Sequence, residues 1–210
     1  MALYRLANLK KEDDVADKHA KVLDDKTFTS VLAKVAQGPD ALRDQAMLLL
    51  SYKAGLRAQE IAGIRWTDVT DALGNVRDDH LFVPSSIAKN EREATLPMHP
   101  HLYIVLTQLR AARPGDHYVV YPSRRGAAGS DCMTANAVAL WFRKLYEGSG
   151  LEGCSSHSGR RTFITKLART AGKFDCSIKD VQRLARHAHL GTTEGYIDPS
   201  PTIGRLVSAI

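Results

Sequence analysis

Apolar side chains recur every three or four residues along most of the chain, and this spacing predicts a mainly helical fold. Asp24 or Asp25 and Thr134 stand where helix caps are expected, and Gly38-Pro39 is a typical helix stop. The predicted helices cover approximately residues 25–37, 40–53, 57–66, 99–113 and 134–146, and a last helical region begins near residue 157.

The pattern changes to short alternating segments between residues 69 and 97. Segments at residues 73–75, 80–83 and 94–97 are separated by turn residues, which predicts a small antiparallel sheet. Residues 117–121 are predicted to be a short strand or an extended segment. The predicted fold class is therefore mainly α with a small antiparallel β-sheet, an α+β fold.

The composition is that of a basic protein suited to a reducing compartment. The 210 residues include 29 Lys and Arg against 23 Asp and Glu, giving a formal charge of +6 and a pI of about 9.3. This charge favours a polyanionic partner without identifying one. The three cysteines lie far apart with no Cys-x-x-Cys pair, which argues against disulfides and a zinc ribbon. No apolar run is long enough to cross a bilayer, so a membrane partner is not expected.

We expect one compact domain flanked by two short segments. Residues 1–24 are dense in charge and poor in apolar periodicity, which indicates an arm or the remnant of a linker. The domain is predicted over residues 25–200. Residues 201–210 predict a short tail helix, whose apolar face must bury either on its own domain or on a neighbouring protomer. That face consists of Ile203, Leu206, Val207 and Ile210.

The stretch from His157 to Tyr196 combines residue types that suit phosphate chemistry. Arg160 and Arg161 offer permanently charged forks for phosphate oxygens, and we expect them to face one anion at a helix N-terminus. His157 and His187 can donate hydrogen bonds or move protons. Tyr196 is a candidate oxygen nucleophile. No carboxylate cluster accompanies these residues, and the pair of His187 with His189 lacks further ligands, so no metal site is expected.

This stretch resembles the C-terminal signature of the tyrosine recombinases, or phage integrase family. The family shows His-x-x-Arg opening a helix, then a second His or Trp, then a nucleophilic Tyr nine residues later. His157 with Arg160, then His187 and Tyr196, match that pattern and its spacing. The family usually has Leu before its Arg and Leu-Gly before its second His, whereas this chain has Gly159 and Ala185-Arg186. These departures concern supporting positions, and the resemblance covers about residues 25–200, the catalytic domain.

The resemblance extends upstream to Gly55-Leu56-Arg57 and Glu60. Taken alone, an Arg and a Glu three residues apart are most often a surface ion pair. In the family, Gly-Leu-Arg-x-x-Glu surrounds the first catalytic Arg, which implies catalysis by Arg57 and support by Glu60.

A charged turn at residues 88–92 also acquires a role through the resemblance. The family carries a catalytic Lys there, eight residues before a Pro that ends the next strand, and Lys89 lies eight residues before Pro97. A lysine at a hairpin tip can reach into a substrate groove as a general acid. Lys53 is the other candidate, although it lies in a predicted helix.

The resemblance implies cleavage and rejoining of double-stranded DNA through a covalent 3′-phosphotyrosine intermediate. Arg57 and Arg160 would stabilise charge on the scissile phosphate, with His187 donating to a non-bridging oxygen. Tyr196 would attack while His157 accepts its proton, and Lys89 would protonate the departing 5′ oxygen. Because the phosphotyrosine ester conserves the energy of the cleaved phosphodiester bond, the resemblance implies no cofactor, neither ATP nor a metal.

DNA contacts are expected outside this constellation as well. Arg124 and Arg125 lie in a basic loop that either touches the DNA backbone or is simply solvated, and Lys144 points outward from its predicted helix. The resemblance implies a homo-oligomer, a tetramer on DNA, and admits accessory DNA-bending or directionality proteins as partners. It also implies a bacterial or phage-encoded protein of the cytoplasm, associated with the nucleoid when on DNA.

Two other function classes share these features. One is a catalytically silent DNA-binding regulator with the recombinase fold, and the other is a type IB topoisomerase, which uses the same chemistry to relax supercoils. Most family members also carry an N-terminal core-binding domain, which residues 1–24 cannot form. The chain is then either a single-domain recombinase, as in the small inversion recombinases of fimbrial switches, or the catalytic domain of a larger integrase.

Overall fold

The computed structural model describes residues 20–88, 92–123 and 131–197. Its elements confirm a mainly helical fold with a small antiparallel sheet. In chain order they are α1 (Asp25–Val35), α2 (Ala41–Lys53), α3 (Ala58–Gly63), α4 (Trp66–Val69), β1 (His80–Val83), β2 (Ala94–Pro97), α5 (Pro100–Ala112), α6 (Ala135–Glu147), α7 (Ser158–Thr170), a 3₁₀ helix (Ala171–Phe174), α8 (Ile178–Ala185) and α9 (Leu190–Glu194).

Two of the predicted helix caps, Asp24 and Thr134, are present in the structure. The Asp24 carboxylate accepts a hydrogen bond from the Thr27 amide at 2.7 Å, and the Thr134 hydroxyl accepts one from the Ala137 amide at 3.1 Å. The two caps fix where α1 and α6 begin, as the sequence pattern predicts.

The chain packs as two compact units, the first ending at Thr162 and the second beginning at Phe163. The boundary falls inside α7, so that helix contributes its first residues to one unit and the rest to the other.

Helix α2 is the centre of the first unit. Residues 46–52 are all buried, although periodicity predicts only one buried face. The reason is that three other helices, α1, α3 and α5, pack against it. Helix α2 is therefore a frame against which the neighbouring elements are positioned.

The helix predicted over residues 57–66 is interrupted after Gly63. The Val119 amide donates to the Ile64 carbonyl at 3.1 Å, and the Trp66 amide donates to the His117 carbonyl at 3.1 Å. This pairing confirms the predicted extended segment near residues 117–121 and takes residues 64–65 out of the helix. The interruption depends on a partner far along the chain, which helical periodicity cannot reveal.

Strands β1 and β2 form an antiparallel pair in which Leu81 lies opposite Leu96 and Val83 opposite Ala94. Leu81, Val83 and Leu96 are buried, so one face of the pair contributes to the core of the first unit. The connection between the strands contains the turn predicted to carry Lys89.

The second unit has a small apolar core. Ile164 of α7 and Val181 and Ala185 of α8 are buried together. Six partly buried residues pack around them: Phe163, Leu167, Ala168, Ala171, Ile178 and Tyr196. The nucleophile candidate is therefore part of the packing of this unit. Within the described ranges, no helix combines the length and apolarity that a membrane crossing requires.

Thr162 connects the beginning and the end of the first unit through its side chain. Its buried hydroxyl donates to the Ser158 carbonyl at 2.7 Å and accepts a hydrogen bond from the Leu23 amide at 2.8 Å. We expect Thr162→Val to lower the free energy of unfolding by about 1–3 kcal/mol, because a buried amide loses its acceptor while the side-chain shape is kept. Urea unfolding followed by circular dichroism measures the loss.

Thr29→Val is the matched control, because the exposed Thr29 hydroxyl makes the same kind of intrahelical bond, to the Asp25 carbonyl, and does not tie α1 to a distant part of the chain within the described ranges. We expect a change within about 0.5 kcal/mol for this variant. Equal losses in the two variants would show that the bond to Leu23 does not stabilise the fold.

Candidate functional site

Arg57 lies at the start of α3 and is held by Glu60. The Glu60 carboxylate accepts a hydrogen bond from the Arg57 amide at 2.7 Å and one from its guanidinium at 3.2 Å. Glu60 is 1% exposed and Arg57 20% exposed. The pair is therefore not a solvated surface ion pair, since one partner is fully buried and also caps the helix.

Arg160 is brought to the same region by a hydrogen bond between distant parts of the chain. Its guanidinium donates to the Gly55 carbonyl at 2.5 Å, and Arg160 is only 2% exposed. Gly55 has φ of +63°, a left-handed conformation that glycine adopts without strain, and it precedes Arg57 by two residues. Arg160 thus contacts the backbone two residues before Arg57, within the first unit.

His157 lies at the entrance to α7. Its amide donates to the Ser155 hydroxyl at 3.2 Å, and its side chain is exposed. Arg160 and Arg161 are consecutive in α7, and a helix turns about 100° per residue. Arg160 is buried whereas Arg161 is partly exposed, so the two guanidinium groups leave the helix in different directions.

Lys89 lies outside the described residues, but Ile87, two residues before it, is described. Ile87 packs so closely on Gly63, the last residue of α3, that a β-carbon at Gly63 would lie 2.5 Å from Ile87 Cγ2. Helix α3, which follows Arg57 directly, therefore ends in contact with Ile87, two residues before Lys89. Lys53, the other lysine candidate, places its ammonium over the rings of Phe28 and Tyr52, 5.8 and 5.3 Å from their centroids.

His187 is fixed in the second unit by its neighbours. The Gln182 side chain donates to the His187 carbonyl at 3.0 Å, and His187 Nδ1 lies 3.0 Å from the Thr193 hydroxyl oxygen. When the Thr193 hydroxyl donates to Nδ1, the proton of the neutral imidazole is on Nε2, which is then a hydrogen-bond donor. Arg186, immediately before it, has φ of +55°, the conformation for which glycine is favoured.

Tyr196 follows α9 and lies beside His187. The two rings are 5.3 Å apart between centroids, with a tilt of 32°. The Tyr196 carbonyl accepts a hydrogen bond from the Thr165 hydroxyl of α7 at 2.9 Å, and its amide donates to the Thr193 carbonyl at 3.0 Å. The backbone of the nucleophile candidate is therefore held on both sides.

The arrangement groups the predicted residues by unit. Arg57, Glu60 and Arg160 come together in the first unit, and His187 and Tyr196 come together in the second. Sequence reasoning missed Thr165 and Thr193, because a single Thr in a helical region carries no recognisable signal. Gly55 belongs to the Gly-Leu-Arg motif, but that motif does not predict the hydrogen bond between the Gly55 carbonyl and Arg160.

Of the three candidate DNA-binding residues, the structure describes only Lys144. Lys144 is exposed on α6, opposite the buried Val138 and Phe142, as predicted. Arg124 and Arg125 lie outside the described residues. Within residues 20–88, 92–123 and 131–197, no group of three or more His, Cys, Asp and Glu side chains is arranged to hold a metal ion.

The model of the phage integrase family matches residues 21–202. The tyrosine recombinase XerC of Xylella fastidiosa (strain 9a5c) is 28% identical over 178 residues, which cover 84% of this chain and 55% of that protein. XerC of Brucella suis biovar 1 (strain 1330) is 30% identical over 157 residues, covering 74% and 46%. The chain thus spans about half the length of these curated relatives.

Solved structures share the fold at lower sequence identity. The Tn1549 transposon integrase in complex with a circular intermediate DNA superposes with a TM-score of 0.72 at 15% identity, covering 91% of this chain and 66% of that one. The XerA recombinase gives a TM-score of 0.67 at 20% identity, covering 91% and 65%. The architecture described above is therefore the one found in these proteins.

Glu60 can be tested through stability alone. We expect Glu60→Gln to lower the free energy of unfolding by about 1–3 kcal/mol, because a neutral amide oxygen replaces a buried carboxylate that accepts two hydrogen bonds from Arg57. Thermal and urea unfolding of the purified variant measure the change.

Asp68→Asn is the matched control, because the Asp68 carboxylate accepts the Arg65 amide at 2.8 Å in the same Arg-x-x-acid arrangement. Burial raises the pKa of Asp68, so its charged form is already disfavoured by the fold, and we expect a smaller loss. A larger loss for Asp68→Asn would contradict a special role of the Glu60 charge in holding Arg57.

Proposed function

Because the chain belongs to the phage integrase family, we propose that it cleaves and rejoins double-stranded DNA at specific sites through a covalent 3′-phosphotyrosine intermediate. The observation that carries the proposal is the hydrogen bond from Arg160 to Gly55, two residues before Arg57. It ties Arg160 to the backbone two residues before Arg57, which supports placing the two arginines of separate sequence stretches in one phosphate-binding site.

In phosphoryl transfer, negative charge spreads over the non-bridging oxygens while the attacking and leaving oxygens are in line. Fixed donors whose positions do not change during the reaction stabilise that charge most effectively. Arg57 and Arg160 supply such donors, since one is fixed by Glu60 and the other by the Gly55 carbonyl. Arg161, partly exposed on the same helix, supports the phosphate from outside this pair.

Tyr196 supplies the nucleophile. Its phenolic oxygen forms a bond to phosphorus, the bond from phosphorus to the 5′ oxygen breaks, and the 3′ phosphate stays on the protein. His157 accepts the phenolic proton, and His187 donates to a non-bridging oxygen. Lys89 protonates the departing 5′ oxygen, so every proton has a donor and an acceptor. One ester is exchanged for another, and attack by a 5′ hydroxyl reverses the step without an external energy source.

Binding of DNA depends on the basic surface as well as on the site. Lys144 on α6, together with Arg124 and Arg125, provides cations for phosphates away from the cleaved one. The active assembly is a homotetramer on DNA. Residues 201–210, whose predicted apolar face buries either on its own domain or on a neighbouring protomer, lie outside the described residues. Accessory DNA-bending or directionality proteins belong to the same proposal, as does a location on the nucleoid in the bacterial cytoplasm.

Tyr196→Phe tests the chemistry directly. We expect the variant to form no detergent-resistant adduct with DNA and to keep its DNA affinity, because only the nucleophilic oxygen is removed and the ring still packs on the small core. The substrate is a pool of nicked duplexes with randomised sequence, from which the wild-type protein traps the sequences it cleaves. Adducts are measured on a denaturing gel.

Tyr103→Phe, a partly buried tyrosine of α5, is the matched control and should form adducts as the wild type does. An adduct surviving in Tyr196→Phe would show that another residue attacks. A wild-type protein that binds the pool without adducts would favour the silent regulator. Joining of the cleaved strand to a second duplex separates a recombinase from a topoisomerase.

Lys89→Ala tests the general acid. We expect a loss of about a hundredfold to ten-thousandfold in cleavage of ordinary DNA, the usual contribution of a general acid, because the 5′ oxygen departs without a proton. The loss should largely disappear when the bridging 5′ oxygen is replaced by sulfur, which leaves readily as an anion. Single-turnover cleavage rates on the two substrates measure both effects.

Lys53→Ala is the control, and its rate should change by the same factor on both substrates. Selective rescue of Lys53→Ala by sulfur, without rescue of Lys89→Ala, would transfer the general-acid role to Lys53.

A further inference from the structure

Helices α2 and α7 make an unusually close contact immediately beside Arg160. Ser51 of α2 and Gly159 of α7 are both buried. A β-carbon at Gly159 would lie 2.3 Å from the Ser51 hydroxyl oxygen, 2.9 Å from its β-carbon and 3.2 Å from its backbone carbonyl carbon. Carbon atoms in contact are normally 3.5–4.0 Å apart, so the two helix backbones approach as closely as glycine permits.

The contact involves the backbone of α2, and this limits how it can relax. Rotating the Ser51 side chain moves only the hydroxyl oxygen, while the β-carbon and the carbonyl carbon stay in place. Residues 46–52 are buried on all sides, so α2 cannot easily move away. An added methyl group at Gly159 must therefore displace the first turn of α7, by about 1 Å if ordinary contact distances are to be restored.

Such a displacement would reach the catalytic arginine. Arg160 follows Gly159 directly, and its hydrogen bond to the Gly55 carbonyl is 2.5 Å long. Gly55 follows the end of α2 and precedes Arg57 by two residues, so α2 is the reference for both arginines. A shift of α7 against α2 changes the distance between the two guanidinium groups, and a misplacement of 1 Å can cost about a hundredfold in rate.

The Ser51 hydroxyl is not retained for a hydrogen bond. It is buried and has no hydrogen-bond partner among the described residues. A buried hydroxyl in this condition normally destabilises a protein. Its place against Gly159 indicates instead that residue 51 matters through its size.

We propose that Ser51 and Gly159 are a positioning pair, which sets the depth at which α7 is seated on α2 and thereby the position of Arg160 relative to Arg57. The inference rests on the proposed function for its catalytic consequence, although the geometric part does not depend on it. Neither residue touches the phosphate. Both act through Arg160.

The first test is geometric and needs no activity. A crystal structure of the full chain carrying Gly159→Ala should show α7 displaced from α2 at residue 51 and a lengthened or broken bond from Arg160 to the Gly55 carbonyl. An unchanged bond would overturn the inference, whatever the protein does to DNA. If the variant does not fold, Gly159→Ala combined with Ser51→Gly provides the structure, and failure of that pair to fold would also contradict compensation.

The second test is kinetic and uses graded compensation. We expect Gly159→Ala to slow single-turnover cleavage about tenfold to a hundredfold at saturating DNA. In that background Ser51→Ala removes only the 2.3 Å contact, and Ser51→Gly also removes the 2.9 Å contact. Cleavage should recover in that order. Gly115→Ala is the matched control, because a β-carbon there meets no atom within 4 Å, and it should cleave as the wild type does.

The substrate of the third test separates positioning from a loss of structure. In a methylphosphonate duplex, a methyl group replaces one non-bridging oxygen of the cleaved phosphate and removes its negative charge. Charge stabilisation by Arg160 matters less there, so the losses caused by Arg160→Ala and Gly159→Ala should both shrink. Equal losses for Gly159→Ala on both substrates would show a purely structural role.

The two proposals fail in different ways. A wild-type protein without a Tyr196-dependent adduct would refute the proposed function while the crystal structure still decides the positioning pair. An undisplaced α7, or cleavage that does not recover with Ser51→Gly, would refute the pair and leave the proposed function intact.

Discussion

The hydrogen bond from the Arg160 guanidinium to the Gly55 carbonyl is the constraint on which the proposed site depends. A permanently charged group that is 2% exposed is costly unless its donors are satisfied, so the fold must provide partners for it. Its position adds to this cost, because Arg160 lies in the first turn of α7 and Arg57 at the start of α3, where helix dipoles disfavour cations. Glu60 offsets part of the repulsion. In the proposed function, the scissile phosphate brings further negative charge to these two arginines.

The nucleophile candidate has a different physical setting. Among the residues that the structure describes, Tyr196 packs against an apolar core of three buried side chains, and hydrogen bonds with Thr165 and Thr193 hold its backbone. Small cores open at lower free energy than large ones, so this unit is expected to open locally more readily than the frame around α2. A nucleophile that must attack, remain attached and leave again benefits from such a setting, whereas charge-stabilising arginines benefit from rigidity.

The sequence allowed prediction of what is decided locally. The caps at Asp24 and Thr134 and the helix after His99-Pro100 follow from a few neighbouring side chains, and they lie where the pattern places them. The break at Ile64 was not predictable, since it requires pairing with residues more than fifty positions away. The identities of the site residues came from motif spacing, but spacing carries no distances. The contact of Arg160 with Gly55 therefore had to be observed.

The two departures from the family pattern have different physical causes. Arg186 occupies a position with φ of +55°, where a residue other than glycine costs roughly 1–2 kcal/mol, so this departure reduces stability. Gly159 is instead required, because even one added carbon would collide with Ser51. A Leu at this position would need a different residue 51 or a different seating of α7. In this chain, helix packing thus constrains residue 159 in the middle of the His-x-x-Arg pattern, while the proposed chemistry constrains His157 and Arg160 at its two ends.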